Sequence, residues 1–253
     1  MTRRILIAGN WKMNKTPAET EAFLNEFLPA VDGVRGVEVA LFPPYTSLDR
    51  AGRILSGSGI GLGAQDLYFE ERGAYTGAIS AALIRACGCR YVLVGHSERR
   101  HLFGDDDRIV HLKLKSALDS GLSAILCVGE TAEERSQGDS ERVVGGQLEA
   151  ALDSIDPDRI VIAYEPVWAI GTGETATPEM ADEMAETIRG WIGSRLGEDA
   201  ASSTRILYGG SVNPDNATAI LDKEDIDGVL VGGASLDPAK FAAIVRAGAS
   251  AKG

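Results

Sequence analysis

Eight short apolar runs, at residues 5–8, 37–42, 60–64, 91–94, 124–128, 160–164, 205–208 and 228–231, are spread along the whole chain and separated by polar or helical segments. Several lack alternation of apolar and polar side chains. They therefore read as strands covered on both faces, the condition of a parallel sheet wrapped by helices. Among Val143, Val144, Gln147, Leu148, Ala151, Leu152 and Ile155, six of seven positions on one stripe of helical period are apolar. Met180, Met184, Ile188, Trp191 and Ile192 repeat the pattern. Thr16-Pro17-Ala18-Glu19 has the spacing of a capping box with proline preset for the first turn, and Thr177-Pro178 and Asn213-Pro214 read as similar starts. Eight strand–helix alternations in 253 residues fit an α/β (β/α)8 barrel, one catalytic domain over residues 1–253. A doubly wound open sheet would give the same alternation and stays open at this point.

Charge narrows the partners. With a formal net charge of −12, the surface repels nucleic acid and anionic membranes at long range, so neither is expected as a partner and any anionic ligand must be held locally. The basic start Met1-Thr-Arg-Arg-Ile-Leu-Ile-Ala gives way to Gly9-Asn10-Trp11-Lys12 too soon for an exported segment. No stretch approaches the roughly 20 apolar residues of a membrane span. Cys87, Cys89 and Cys127 are an odd number without secretory context, which suits reduced thiols and a cytoplasmic location. His96, His101 and His111 lack paired-ligand spacing, so no metal is expected. Asp105-Asp106-Asp107 reads as a cap favouring the helix that follows.

In a barrel, catalytic groups sit just after the strands. The first run leads into Asn10 and Lys12, an amide and an ammonium near the barrel mouth, although a lysine after a strand is ordinarily only a solvated surface group. The fourth leads into His96-Ser97-Glu98. A lone histidine is more often structural, but a turn of free amides beside it would favour the neutral imidazole suited to proton exchange. The sixth ends on Glu165, followed by Pro166-Val-Trp-Ala-Ile-Gly-Thr-Gly173. A salt-bridged glutamate is the bland reading. Apolar surroundings would instead raise its pKa toward that of a general base, with the segment at 166–173 closing over it as a lid. The seventh and eighth lead into Gly209-Gly210-Ser211 and Gly232-Gly233. Glycine pairs serve close-packed turns, and at these two ends they also let bare amides converge on a phosphate.

Taken in order, Ala8-Gly-Asn-Trp-Lys-Met-Asn14, Val94-Gly-His-Ser-Glu98, Ala163-Tyr-Glu-Pro-Val-Trp-Ala-Ile-Gly-Thr-Gly173, Tyr208-Gly-Gly-Ser-Val212 and Val231-Gly-Gly233 closely resemble the triosephosphate isomerase family, over essentially the whole chain. That family is itself a reference case for a glutamate base working with a neutral histidine under a closing loop. The resemblance implies interconversion of dihydroxyacetone phosphate and D-glyceraldehyde 3-phosphate through an enediolate, in glycolysis and gluconeogenesis. It implies Glu165 as base, His96 as proton relay, and Lys12 and Asn10 stabilising the developing charge. Phosphate would be held at Gly171, Ser211, Gly232 and Gly233, with Ser97 and Glu98 in support. No metal or organic cofactor is implied.

The resemblance also makes residues 65–80 a loop reaching into a second subunit, with Thr76 beside the partner's site, so a homodimer is expected. The chain departs from the family in two places: Ala78 replaces a glutamate that pairs across the interface, and Glu174 replaces a lysine at the lid's second hinge. Two other functions use similar glycine-rich ends. A phosphate-binding aldolase or synthase would need a Schiff-base lysine or a metal cluster. A sugar-phosphate sensor would bind without turnover.

Overall fold

In the computed structural model, which describes residues 3–169 and 176–251, eight parallel strands close into a barrel in sequence order. They are β1 (Leu6–Asn10), β2 (Glu38–Phe42), β3 (Gly61–Ala64), β4 (Tyr91–Val94), β5 (Ser123–Val128), β6 (Ile160–Tyr164), β7 (Arg205–Tyr208) and β8 (Gly228–Val231). Closure is made by β1, which pairs with β2 from Leu6↔Glu38 to Asn10↔Phe42 and with β8 from Leu6↔Gly228 to Gly9↔Val231. The open doubly wound sheet is thereby excluded.

Around the strands run α1 (Pro17–Ala30), α2 (Leu48–Leu55), α3 (Ala81–Ala86), α4 (Ser97–Phe103), α5 (Asp107–Asp119), α6 (Ala132–Ser136), α7 (Ser140–Leu152), α8 (Pro178–Leu196), α9 (Glu198–Ser203), α10 (Ala217–Leu221) and α11 (Pro238–Ser250). No described helix is long and apolar enough to cross a membrane.

The missing alternation in the strands now has its cause. Leu6, Ala8, Phe42, Leu93, Ile125, Val161, Leu207 and Leu230 fill the barrel interior. Their neighbours Ile7, Leu41, Val92, Leu126, Ile162, Ile206 and Val229 pack outward against the helices. Both faces are apolar because both are buried.

The predicted caps divide. Thr16 and Glu19 form the full capping box, and Thr177 accepts from the Met180 amide. Asn213-Pro214 does not start a helix. The Asn213 side chain instead accepts from the amides of Asp215 and Asn216, a local turn that competes with helix formation, and α10 begins three residues later at Ala217. In the aspartate triplet only Asp106 is the cap, accepting from Ile109, with Asp107 in the first turn of α5. Asp105 turns inward and accepts from the buried ammonium of Lys113 at 2.5 Å and from Arg99 at 3.2 Å.

Candidate active site

The strand ends that stand out in the sequence converge on one cavity of about 750 Å³ at the C-terminal mouth of the barrel. Asn10, Lys12, His96, Glu165, Ser211, Gly232 and Gly233 all line it. Gly171, the Glu174 position and most of the lid segment lie outside the described residues. Thr76 is exposed on its loop and does not reach the cavity within one chain.

Lys12 occupies left-handed backbone space at φ 52°, which is unfavourable for a residue with a Cβ. Side chains hold it there from both sides. The Lys12 amide donates to Asn10 Oδ1 at 3.0 Å, and Gln65 Nε2 donates to the Lys12 carbonyl at 2.7 Å. Its ammonium then meets Glu98 Oε1 at 2.7 Å across the mouth.

Glu165 is only 2% exposed, one residue beyond β6. Its Oε1 lies 3.0 Å from His96 Nε2, and its Oε2 accepts the Ser97 amide at 2.8 Å. Burial disfavours charge on Glu165, but the imidazole of His96, the Ser97 amide and the Lys12 ammonium outweigh it and hold the carboxyl below the ordinary carboxylate range. This reverses the sequence expectation of a raised pKa, because in this arrangement the apolar surroundings are overruled by the two contacts with His96 and the Ser97 amide and by the charge of Lys12.

At His96, burial also opposes charge, yet Glu165 and then Glu98 outweigh it and move the pKa above the ordinary histidine value. The Glu98 amide acts the other way: it donates to Nδ1 at 3.2 Å, a bond open only to the ring with its proton on Nε2. That bond makes His96 the N-cap of α4, but the raised pKa runs against the sequence expectation of a neutral imidazole.

The two shifts have opposite consequences for stability. Glu165 contributes above the ordinary carboxylate pKa and loses that contribution as pH falls through its lowered folded value. His96 contributes below the ordinary histidine pKa and loses it as pH rises through its raised folded value. In the His96→Asn variant, burial of Glu165 is less opposed, so its carboxyl is expected to titrate at higher pH than in the wild type. Carbon-13 NMR of the carboxylate checks this, and an unchanged or lower pKa would refute the coupling.

Several residues at the site were not singled out by the sequence reading. Glu130 is fully buried after β5, and its Oε1 accepts from Trp168 Nε1 at 2.9 Å, Tyr164 Oη at 3.1 Å and Arg135 at 3.2 Å. It sits two residues beyond a strand, so the rule that flagged Glu165 would have found it. Gly129 has no room for a side chain, since a Cβ there would lie 1.7 Å from the Glu165 carbonyl oxygen. Gly209 is similarly constrained, its Cβ position 2.9 Å from Glu165 Cγ. That glycine makes room for the carboxylate's own stem, the packing role that competed with anion binding in the sequence. Lysines lining the cavity, among the described residues, are Lys12 and Lys240.

The family model described as Triosephosphate isomerase matches residues 5–248. Among curated proteins, the chain is 52% identical over 244 residues to a triosephosphate isomerase of Aquifex aeolicus, covering 96% of this chain and 98% of the relative. It is 52% identical to that of Pelobacter propionicus, again covering 96% and 98%. To that of Symbiobacterium thermophilum it is 47% identical over 253 residues, with 99% of each covered.

Proposed function

The chain belongs to the triosephosphate isomerase family, and from that premise we propose that its residues 1–253 act as one catalytic domain interconverting dihydroxyacetone phosphate and D-glyceraldehyde 3-phosphate. Family and relatives make it an isomerase enzyme. The observation that carries the mechanism is Glu165, a buried carboxylate facing a cavity that also presents His96 and Lys12.

Glu165 takes a proton from the hydroxymethyl carbon beside the carbonyl, leaving an enediolate, and a proton is returned to the former carbonyl carbon. His96 donates from Nε2 to one substrate oxygen and recovers a proton from the other, so protons balance without a net oxidant. Lys12 and the Asn10 amide face the negative charge that develops on those oxygens. Substrate must displace the His96–Glu165 contact for this to occur, which frees both partners for the reaction. The backbone at Ser211, Gly232 and Gly233 supplies uncharged donors for the phosphate, which lets a protein of net charge −12 retain an anion.

The test is incubation with dihydroxyacetone phosphate in deuterated water, following aldehyde formation and deuterium at the reacting carbon. Aldehyde carrying deuterium is the expected result, and the absence of both aldehyde and deuterium would reject the reading. An aldolase working through a Schiff base would instead be trapped on lysine by borohydride.

The same reading places the enzyme in the cytoplasm, in glycolysis and gluconeogenesis, and as a homodimer. Exposed apolar side chains support the last point: Met13 is 94% exposed, Leu102 76% and Phe103 66%, surface that association would cover. Ala78 offers no carboxylate to an ion pair across such an interface, so its stability rests on apolar packing, and a desolvated pair is not needed for it. Light scattering is expected to give twice the chain mass at assay concentrations, and an active monomer would refute the dimer.

A further inference from the structure

The one polar break in the apolar stripe of α7, Gln147, holds the peptide groups of Gly129 just beyond β5. Its Oε1 accepts the Gly129 amide at 2.8 Å, and its Nε2 donates to the Gly129 carbonyl at 3.1 Å. Both polar groups of one residue are thus held by one side chain. Gly129 lies in the segment that extends β5 alongside β6: the Glu165 amide donates to Val128 O at 2.7 Å, and the Val167 amide to Glu130 O at 3.1 Å. Between those two rungs the Glu165 carbonyl presses on the Gly129 Cα, where no Cβ could fit. The place of Gly129 therefore sets the place of the Glu165 backbone, and Gln147 sets the place of Gly129.

We propose that Gln147 is a positioning residue for the isomerase reaction, fixing Glu165 through Gly129 without touching substrate. The inference rests on the reading of Glu165 as the base. A half-buried amide in a core-facing stripe gives up apolar packing against β5, and what it returns is a clamp on one peptide that leaves the strand end one orientation. Proton transfer depends steeply on such placement, since a misplacement of about 1 Å can cost about 10²-fold in rate. Binding of phosphate, at the ends of β7 and β8 across the mouth, does not depend on it.

The experiment compares Gln147→Leu, which removes both bonds, with Gln147→Glu, which keeps an acceptor for the Gly129 amide but loses the donor. Gln147→Leu is expected to lower kcat about tenfold, with KM for dihydroxyacetone phosphate and the affinity for inorganic phosphate within about twofold of wild type. Gln147→Glu falls between the two. The carboxylate resonance of Glu165 moves in both variants, a readout that does not require turnover. A lowered melting temperature with unchanged kcat and an unmoved Glu165 resonance would show a structural role only and overturn the proposal. Parallel loss in kcat and phosphate affinity would overturn it as well. A wild-type protein without isomerase activity would instead refute the functional reading, and the Glu165 resonance would still decide whether Gln147 positions it.

Discussion

Glu165→Gln is expected to lower kcat by about 10³-fold, within the range that a positioned general base contributes, while inorganic phosphate still binds. The substitution keeps the shape of the side chain and an oxygen for the Ser97 amide, which lies 2.8 Å from Oε2. It removes the group that accepts the carbon-bound proton. It also ends the mutual stabilisation with His96, whose Nε2 lies 3.0 Å from Oε1, so the imidazole pKa should fall as the carboxylate that raises it is lost. Folding is a separate matter. The lowered pKa means that the ionised carboxylate contributes to stability, so the melting temperature should fall, with the loss partly offset because a neutral amide avoids the desolvation of a carboxylate buried to 2% exposure. Steady-state kinetics, phosphate titration and thermal unfolding on the same preparation separate these effects. Turnover close to wild type would refute Glu165 as the base.

Gly129→Ala is expected to cost about 3 kcal/mol of stability, at the upper end for overpacking, and about 10²-fold in kcat from displacement of the base. The added Cβ would lie 1.7 Å from the Glu165 carbonyl oxygen and 2.6 Å from its carbon, so atoms must move. Backbone on both sides is held. Gly129 is clamped by the two bonds to Gln147, and Glu165 by the bond from its amide to Val128 O at 2.7 Å. Relief must break one of these, and each broken bond leaves a buried polar group without a partner. Urea unfolding gives the stability change, and kcat at saturating substrate gives the effect on chemistry. An alanine variant with wild-type stability and turnover would show that the strand ends yield more easily than their bonding implies.

The sequence is enough to bring the candidate site residues together, because a barrel puts chemistry at strand ends. Asn10, Lys12, His96 and Glu165 all follow apolar runs, and all line one cavity. The same rule applied to the fifth run reaches Gly129 and Glu130, which carry no familiar catalytic signature. Gln147 was visible as one polar residue in an apolar stripe, but nothing local says which peptide it reaches 18 positions away. Asp105 reads in the sequence as part of a helix cap, and it turns inward because Lys113, eight residues on and 3% exposed, and Arg99 both donate to it.

What the sequence determined by itself was periodicity and local chemistry: eight strands, several of them covered on both faces, the capping box at Thr16, and titratable or glycine-rich ends on particular strands. These depend on neighbours within a few residues and on the contrast between apolar and polar side chains, both of which are written along the chain. Tertiary structure decided closure, through β1 pairing with both β2 and β8. It also decided the direction in which the pKa values at the site move. A glutamate in apolar surroundings should be harder to ionise, yet Glu165 is easier to ionise because folding brings His96 from 69 positions away and the Ser97 amide from 68 to its two oxygens. Electrostatic energy depends on distance in space, and at about 3 Å in a buried site two such contacts outweigh the desolvation that sequence alone suggests.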